Sequence, residues 1–361
     1  TVLDKELVEE EAPARIVECP EYLVHRAKLY VSVYSHVKSS VFSPSMFRIS
    51  LPLVAFALVA AACSSSTTSP STTPAATIDS TTATTDTPTR PPASGARWEP
   101  QQTGVIDSTE LIEISWAAIS SRHEGTVWLH NDSGNDPAVY AVDLAGTELG
   151  RITLPNLSAR DWEDMAIGPG PDPNLHYLYL ADIGDNRGRR EEVAIHRIPE
   201  PEPVSGTSEG GETLLVTYPL GPMEAETLIV DPETGEMLIV GKALSGLTAV
   251  YSLAGGLDWT LPHEATYIGE IVLGTFALAT GGDAGTERIV LRTYDEVFLW
   301  ERMPGDALAA TLFTQPCRAA SIREQQGEAI ALTPDERGFY TASEGVGSPL
   351  FRYLDPAGGG S

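Results

Sequence analysis

An all-β fold is expected from three features of the 361-residue chain. Residues from about 98 to 356 carry short runs rich in Val, Ile, Leu, Tyr and Trp, each preceded by a turn signal, with almost no helical periodicity. An acidic segment leading into an apolar run and a proline turn recurs as ARDWEDMAIGPG (159–170), MEAETLIVDPETG (223–235) and QGEAIALTPDERG (326–338). The recurrence has a period of about 45 to 60 residues, the length of a four-stranded blade with some long loops. Together these features predict a β-propeller of five blades, with six as the alternative.

The chain ahead of that region is of another kind. From Met46 it reads MFRISLPLVAFALVAAACSSSTT, one arginine followed by an apolar stretch and then small residues. The stretch falls short of the roughly 20 residues that cross a bilayer and matches the apolar region of a signal peptide. Ala60-Ala61-Ala62-Cys63 resembles a bacterial lipobox, with Ala60 where Leu is commoner. Residues 46–62 are therefore expected to be a lipoprotein signal peptide and Cys63 the lipidated first residue of an exported protein anchored to the outer face of a bacterial cell membrane. Residues 63–97, rich in Ser, Thr and Pro, read as a disordered tether. Residues 1–45 are expected to be a mispredicted extension, 98–356 the propeller, and 357–361 a flexible tail. With Cys63 acylated and Cys19 in the extension, Cys317 is left alone, so no intramolecular disulfide is expected.

The chain carries 50 acidic against 23 basic side chains and a formal charge of −27. Such a surface repels phosphate backbones and shows no basic stripe, which argues against nucleic-acid binding. Acid excess suits solubility outside a cell, or cation binding.

Within the propeller region, GTVWLHNDSG, HYLYLADIGDN, EMLIVGKA, RIVLRTYDEVFLWE and RGFYTASEG are expected strands, and AVYAVDL, EVAIHRI, TAVYSL and PLFRYL follow them. Aligned on their prolines, Glu163, Glu226 and Glu328 each precede Pro169, Pro232 and Pro334 by six residues. A second register separates Glu113 from Glu163, and Asp132 from Asp182, by 50 positions. The fourth unit, at Asp283, does not keep the proline register. The last lacks a fourth strand, which TGVIDSTELIEIS (103–115) is expected to supply by closing the ring.

The innermost strand of a propeller blade lines the channel, so Glu113, Glu163, Glu226 and Glu328 are expected to converge there, with Asp161 and Glu224 on the same faces. Carboxylates crowded together demand raised pKa values, paired cations or a metal. Oxygen ligands without a His or Cys cluster favour calcium over zinc. Asp132 in NDSGND and Asp182 in ADIGDN are candidate ligands near one mouth. The corresponding strands elsewhere present Lys242, Arg292, Tyr294 and Glu344. Glu163, Lys242 and Arg292 are the candidate catalytic residues, and Tyr294 and Glu344 candidate ligand contacts. Arg187, Arg189 and Arg190 read as a solvated loop. The tryptophans read as packing residues, with Trp162 between two acids the one candidate for walling a sugar-like ligand. Gly206 to Gly210, GTSEG, matches the nucleophile-elbow pattern but lies in a linker with no helix after it.

Taken jointly, WLHNDSGN, DWEDMAIGPG, YLADIGDN, EAETLIVDPETG, GGD with VLRTYDEVFLWE, and QGEAIALTPDERGFYTASEG resemble a family of poorly characterised secreted bacterial β-propeller lipoproteins, over about residues 110–354. The acidic channel is more distantly similar to β-propeller phytases and gluconolactonase-type propellers. That resemblance implies calcium on channel carboxylates, with Glu163, Glu226, Glu328, Asp132 and Asp182 as candidate ligands and Lys242 and Arg292 as candidate anion contacts. Two functions are expected from it: a calcium-dependent hydrolase of phosphate esters or lactones, or a non-catalytic propeller. The expected partners are the membrane through Cys63 and a small anionic molecule, glycan or envelope protein.

Overall fold

Strands covered on both faces read as unbroken apolar runs rather than as alternating ones. That is why VWLH, LYLA and MLIV occur here, and the computed structural model shows what covers them. It describes Val17–Glu18 and residues 98–355, apart from Ser133, Pro304 and Arg323. The expected signal peptide, Cys63, the tether, the 357–361 tail and all of the 1–45 extension but Val17–Glu18 lie outside the described residues.

The described residues form five sheets, each built on a four-stranded antiparallel blade. From the channel outward, blade I is Ile114–Ile119, Thr126–Asn131, Ala138–Asp143 and Glu148–Thr153. Blade II is Asp164–Pro169, His176–Asp182, Val193–Pro199 and Glu212–Thr217. Blade III is Ala225–Val230, Met237–Gly241, Leu247–Leu253 and Thr266–Val272. Blade IV is Ala279–Ala284, Arg288–Thr293, Glu296–Glu301 and Cys317–Ser321, with a short helix at Leu308–Leu312 before its outer strand. Blade V is Gly327–Leu332, Gly338–Ser343 and Pro349–Leu354, completed by Pro100–Val105. The five innermost strands touch one another in sequence order and the last touches the first, closing the ring. The protein is a five-bladed β-propeller.

The closing strand begins three residues earlier than the 103–115 segment suggested. Residues 106–113 instead cross from the rim to the axis to start blade I. Two-residue strands add parallel edges: Gly206–Thr207 on blade I, His263–Glu264 on blade II and Val17–Glu18 on blade IV. The expectation of no disulfide is corrected, because Cys317 is disulfide-bonded, its partner lying outside the described residues. Val17 pairs in register with Cys317, so chain from the N-terminal segment runs directly beside it.

Apolar side chains fill the seams between blades. Trp128, Trp162 and Met165 pack together between blades I and II, Trp116 lies against Gly281 of blade IV, and Leu214, Leu228, Ile239 and Tyr251 pack between II and III. Ile229, Val250, Leu291 and Phe298 fill the III–IV seam, and Ile114, Val127, Ala329 and Tyr340 the V–I seam. Each such aliphatic or aromatic side chain contributes about 1.5–3 kcal/mol by leaving water. Trp162 is buried here, with its indole N–H donating to Ser158 O at 2.8 Å, so it walls no ligand.

Near their starts the innermost strands bulge, and the bulged residue is thrown toward the channel. It is Ser115 in blade I, Glu226 in III, Thr280 in IV and Glu328 in V. In blade II the Glu163 amide donates to Ala181 O while Asp164 pairs with Ala181, which gives Glu163 the same place.

Candidate functional site

Glu163, Glu226 and Glu328 thus hold three of the five ring positions, and hydroxyls of Ser115 and Thr280 hold the other two. Glu113 lies two residues ahead of the ring position, at the exposed rim, where Asn135 Nδ2 donates to its carboxylate at 3.2 Å. Asp283 sits mid-strand. Its Oδ2 accepts the Leu332 amide of blade V at 2.8 Å, as Asp164 accepts the Leu228 amide of blade III. These two acids staple neighbouring blades together. Burial raises both, Asp283 to about 7.

Two clusters of carboxylate oxygens form on the side of blades I to III. Asp132, Asp161 and Glu163 each place an oxygen within 4.8 Å of the others, and Glu163, Glu224 and Glu226 do the same. Glu163 belongs to both. It is 5% exposed. Its pKa is pushed well above the usual carboxylate range, first by burial and then by the charges of Glu226, Asp132, Asp161 and Glu224. No hydrogen bond or ion pair meets its carboxylate among the described residues.

The loop before Asp164 is held by Asp182. Its carboxylate accepts the amides of Arg160 and Asp161 at 3.1 and 3.2 Å and pairs with Arg190 Nη1 at 2.7 Å. Burial pushes the Asp182 carboxyl up, but hydrogen bonding from His196 and the charge of Arg190 outweigh it and hold the group low. In blade I the same work is done by Asn131, whose Oδ1 accepts the amides of Ile112 and Glu113, both at 3.1 Å. Asp182 therefore corresponds to Asn131 and positions the cluster, whereas Asp132 lies in it. Arg190, expected in a solvated loop, is buried against Asp182; Arg187 and Arg189 are exposed.

Gly184 was legible only as a turn residue, yet the contact it permits is closer than that. A Cβ there would stand 2.1 Å from Glu163 Oε1 and 2.6 Å from Asp161 Oδ2, so the carboxylates occupy the space a side chain would take. Gly134, by contrast, has a φ of 81° with open space around it and is a turn glycine.

Lys242 crosses the mouth. Its ammonium donates to Glu226 Oε1 and, at 2.9 Å, to Tyr294 Oη, and Tyr294 Oη donates in turn to Glu328 Oε1 at 3.3 Å. Burial opposes the Lys242 charge, but the fields of Glu226 and Tyr294 raise its pKa. Glu226 is still pushed up to about 7, because burial outweighs Lys242 and Asp132 and Asp161 add to it. Glu224 also rises to about 7, through burial and Glu226. Burial, Glu226 and Glu344 take Glu328 to about 9. Glu344 is raised by burial, Asp132 and Glu113. One lysine does not neutralise this field.

Arg292 is fully buried between blades IV and V. It donates to the carbonyls of Ala329 and Ala342 and pairs with Glu324 at 3.0 Å. Its guanidinium fills the space beside Gly327, where a Cβ would stand 1.8 Å from Nη2. It has no surface to offer an anion.

No protein-family model matches the sequence, and no curated protein does. Solved structures similar to the chain include three β-propellers. The Pan2 WD40 domain of Neurospora crassa shares 8% identity, covering 72% of this chain and 96% of its own with a TM-score of 0.37. Myxococcus xanthus glutaminyl cyclase shares 9%, covering 72% and 97% with a TM-score of 0.38. A glucose dehydrogenase shares 11%, covering 70% and 99% with a TM-score of 0.38. The architecture itself is established by the strand pairing.

With Glu163 shared between two oxygen clusters and no His or Cys in either, the site has the donor set of a hard cation. Calcium takes six to eight oxygens and tolerates irregular geometry, which suits carboxylates from separate loops.

Proposed function

We propose that this propeller binds a divalent cation, calcium by its donor chemistry, on Asp132, Asp161, Glu163, Glu224 and Glu226. The single observation that carries the reading is Glu163: a carboxylate 5% exposed, flanked by four others, with no cation or donor against it among the described residues. Burying such a group uncompensated costs several kcal/mol, and a bound cation reverses the sign of that cost. In this reading the protein is an exported lipoprotein held to the outer face of a bacterial membrane through Cys63, a placement supported by the sequence around Met46.

The chemistry such a site supports is hydrolysis of a phosphate ester or lactone. Glu163 and Glu226 would hold the ion, which would supply activation of water for attack, and Lys242 would stabilise the charge that develops. Arg292 has no part in it. The engagement of Lys242 with Glu226 and Tyr294 favours a second reading, a non-catalytic propeller that uses the same ion to bind a small anion, glycan or envelope protein. Calcium titration followed by a phosphate-ester and lactone panel separates them. Turnover that disappears in Glu163→Gln supports the hydrolase. Tight calcium binding without turnover supports the binding protein, and absence of any divalent-cation binding overturns both.

A further inference from the structure

A cavity of about 300 Å³ opens between blades II and III at the end of the molecule away from the carboxylate cluster. Glu163 precedes the innermost strand of blade II and Pro169 ends it, so the two sites are separated by six residues of extended chain, roughly 20 Å. The cavity is walled by Pro169, Pro171, Tyr179, Met237, Leu257 and Trp259. One charged side chain lines it, Arg197.

Arg197 is 8% exposed. Its guanidinium carbon lies 4.0 Å from the centre of the Trp259 ring, with Tyr177 and Tyr179 at 5.5 and 5.9 Å. Nε and Nη2 both donate to Glu212 Oε2, at 3.1 and 2.6 Å. The stack and the paired bonds fix the plane of the guanidinium. The guanidinium also donates to the Tyr179 hydroxyl, which passes its own proton to Pro169 O. A guanidinium carries five N–H donors, and these contacts use three of them, so a cation held in a fixed plane still has donors for a ligand seated in the apolar space. Glu212 is half exposed, so water screens its charge from anything seated on the far edge.

The geometry points to a second binding site here, for a carboxylate attached to an apolar or aromatic body: the carboxylate accepts from the remaining N–H groups of the Arg197 guanidinium and the body packs on Trp259, Leu257 and the prolines. The carboxylate belongs either to a free small acid or to the end of a peptide chain. The site does not depend on the cation proposed for the channel.

The test uses the whole protein, with 3-phenylpropanoate, its amide, and a short peptide ending in Phe with a free or an amidated C-terminus. Binding is read by ligand-observed NMR and by tryptophan fluorescence. Saturable binding of the acid or the free-ended peptide with a half-point below about 1 mM, at least tenfold weaker for the matching amide, supports the site and identifies the source. Arg197→Lys, which keeps the charge but loses the planar edge, is expected to weaken it at least tenfold, and Glu163→Gln to leave it unchanged. Equal binding of acid and amide, no binding of any probe, or unaltered affinity in Arg197→Lys overturns the proposal. The acid-against-amide comparison on the unaltered protein stands even where a variant fails to fold.

Discussion

Lys242 is ion-paired with Glu226, and through Tyr294 it is hydrogen-bonded on to Glu328, so one ammonium ties ring positions of blades III and V together. Both partners are largely buried, with side-chain exposures of 15% and 7%. Removing one side of such a pair leaves the other charge uncompensated.

Lys242→Met is therefore expected to destabilise the metal-free protein by about 3–5 kcal/mol at pH 8. Glu226 titrates near 7 and is relieved by protonation, so the loss shrinks at pH 6. The double variant Lys242→Met/Glu226→Gln is expected to recover much of it. Denaturant unfolding at the two pH values checks all three outcomes.

Calcium at about 100 times its dissociation constant adds about 2.7 kcal/mol, raising the melting temperature by roughly 5–10 °C in a domain of this size. A chelator removes the gain. Glu163→Gln is expected to lower calcium affinity at least tenfold, measured by calorimetric titration, while the metal-free melting temperature holds or rises because a buried charge is gone.

The pH dependence of the metal-free protein has a definite sign. Glu224 and Glu226 near 7 and Glu328 near 9 lie above the ordinary value of 4.5, so the folded state holds these protons more tightly than the unfolded chain. The stability they contribute is complete below about pH 4.5 and is lost as pH rises through 7 toward 9. Thermal scans in chelator from pH 5 to 9 are expected to fall. Scans with saturating calcium are expected to be flat or rising, since the ion competes with the protons.

Gly184→Ala places a methyl group against Glu163 and Asp161. It is expected to cost about 1–3 kcal/mol, by the mechanism of overpacking, and to reduce calcium affinity. Gly134→Ala is a useful contrast, since its strain is one of φ alone and leaves the cluster in place. Paired unfolding and calcium titrations of the two variants distinguish these effects.

The strands and the blade number were legible because buried sheets leave apolar runs, turn residues and a repeat length. The ring residues were legible where glutamate fell on the bulge, as at Glu163, Glu226 and Glu328. The exact correspondence between blades was not. The 50-residue spacing of Glu113 from Glu163 and of Asp132 from Asp182 agreed with itself, yet the ladder matches Ser115 with Glu163 and Asn131 with Asp182. A bulge and a longer loop shift side chains by one or two places without disturbing hydrophobicity, so no periodicity records them. Likewise Arg292 and Asp283 carry the residue types of a site, but the neighbouring blade takes up their polar atoms, which only the packing reveals.

The hydroxyls of Ser115 and Thr280 make the mouth lopsided. An ion drawn to Glu163 would settle off the propeller axis, toward the adjacent oxyanions of blades II and III and away from the flank where Glu328 stands alone between two alcohols. Negative potential would then be weakest over blade IV, where no ring carboxylate stands and Tyr294 holds the Lys242 ammonium, which gives an approaching anion a direction of entry that a fivefold-symmetric collar of glutamates would deny it.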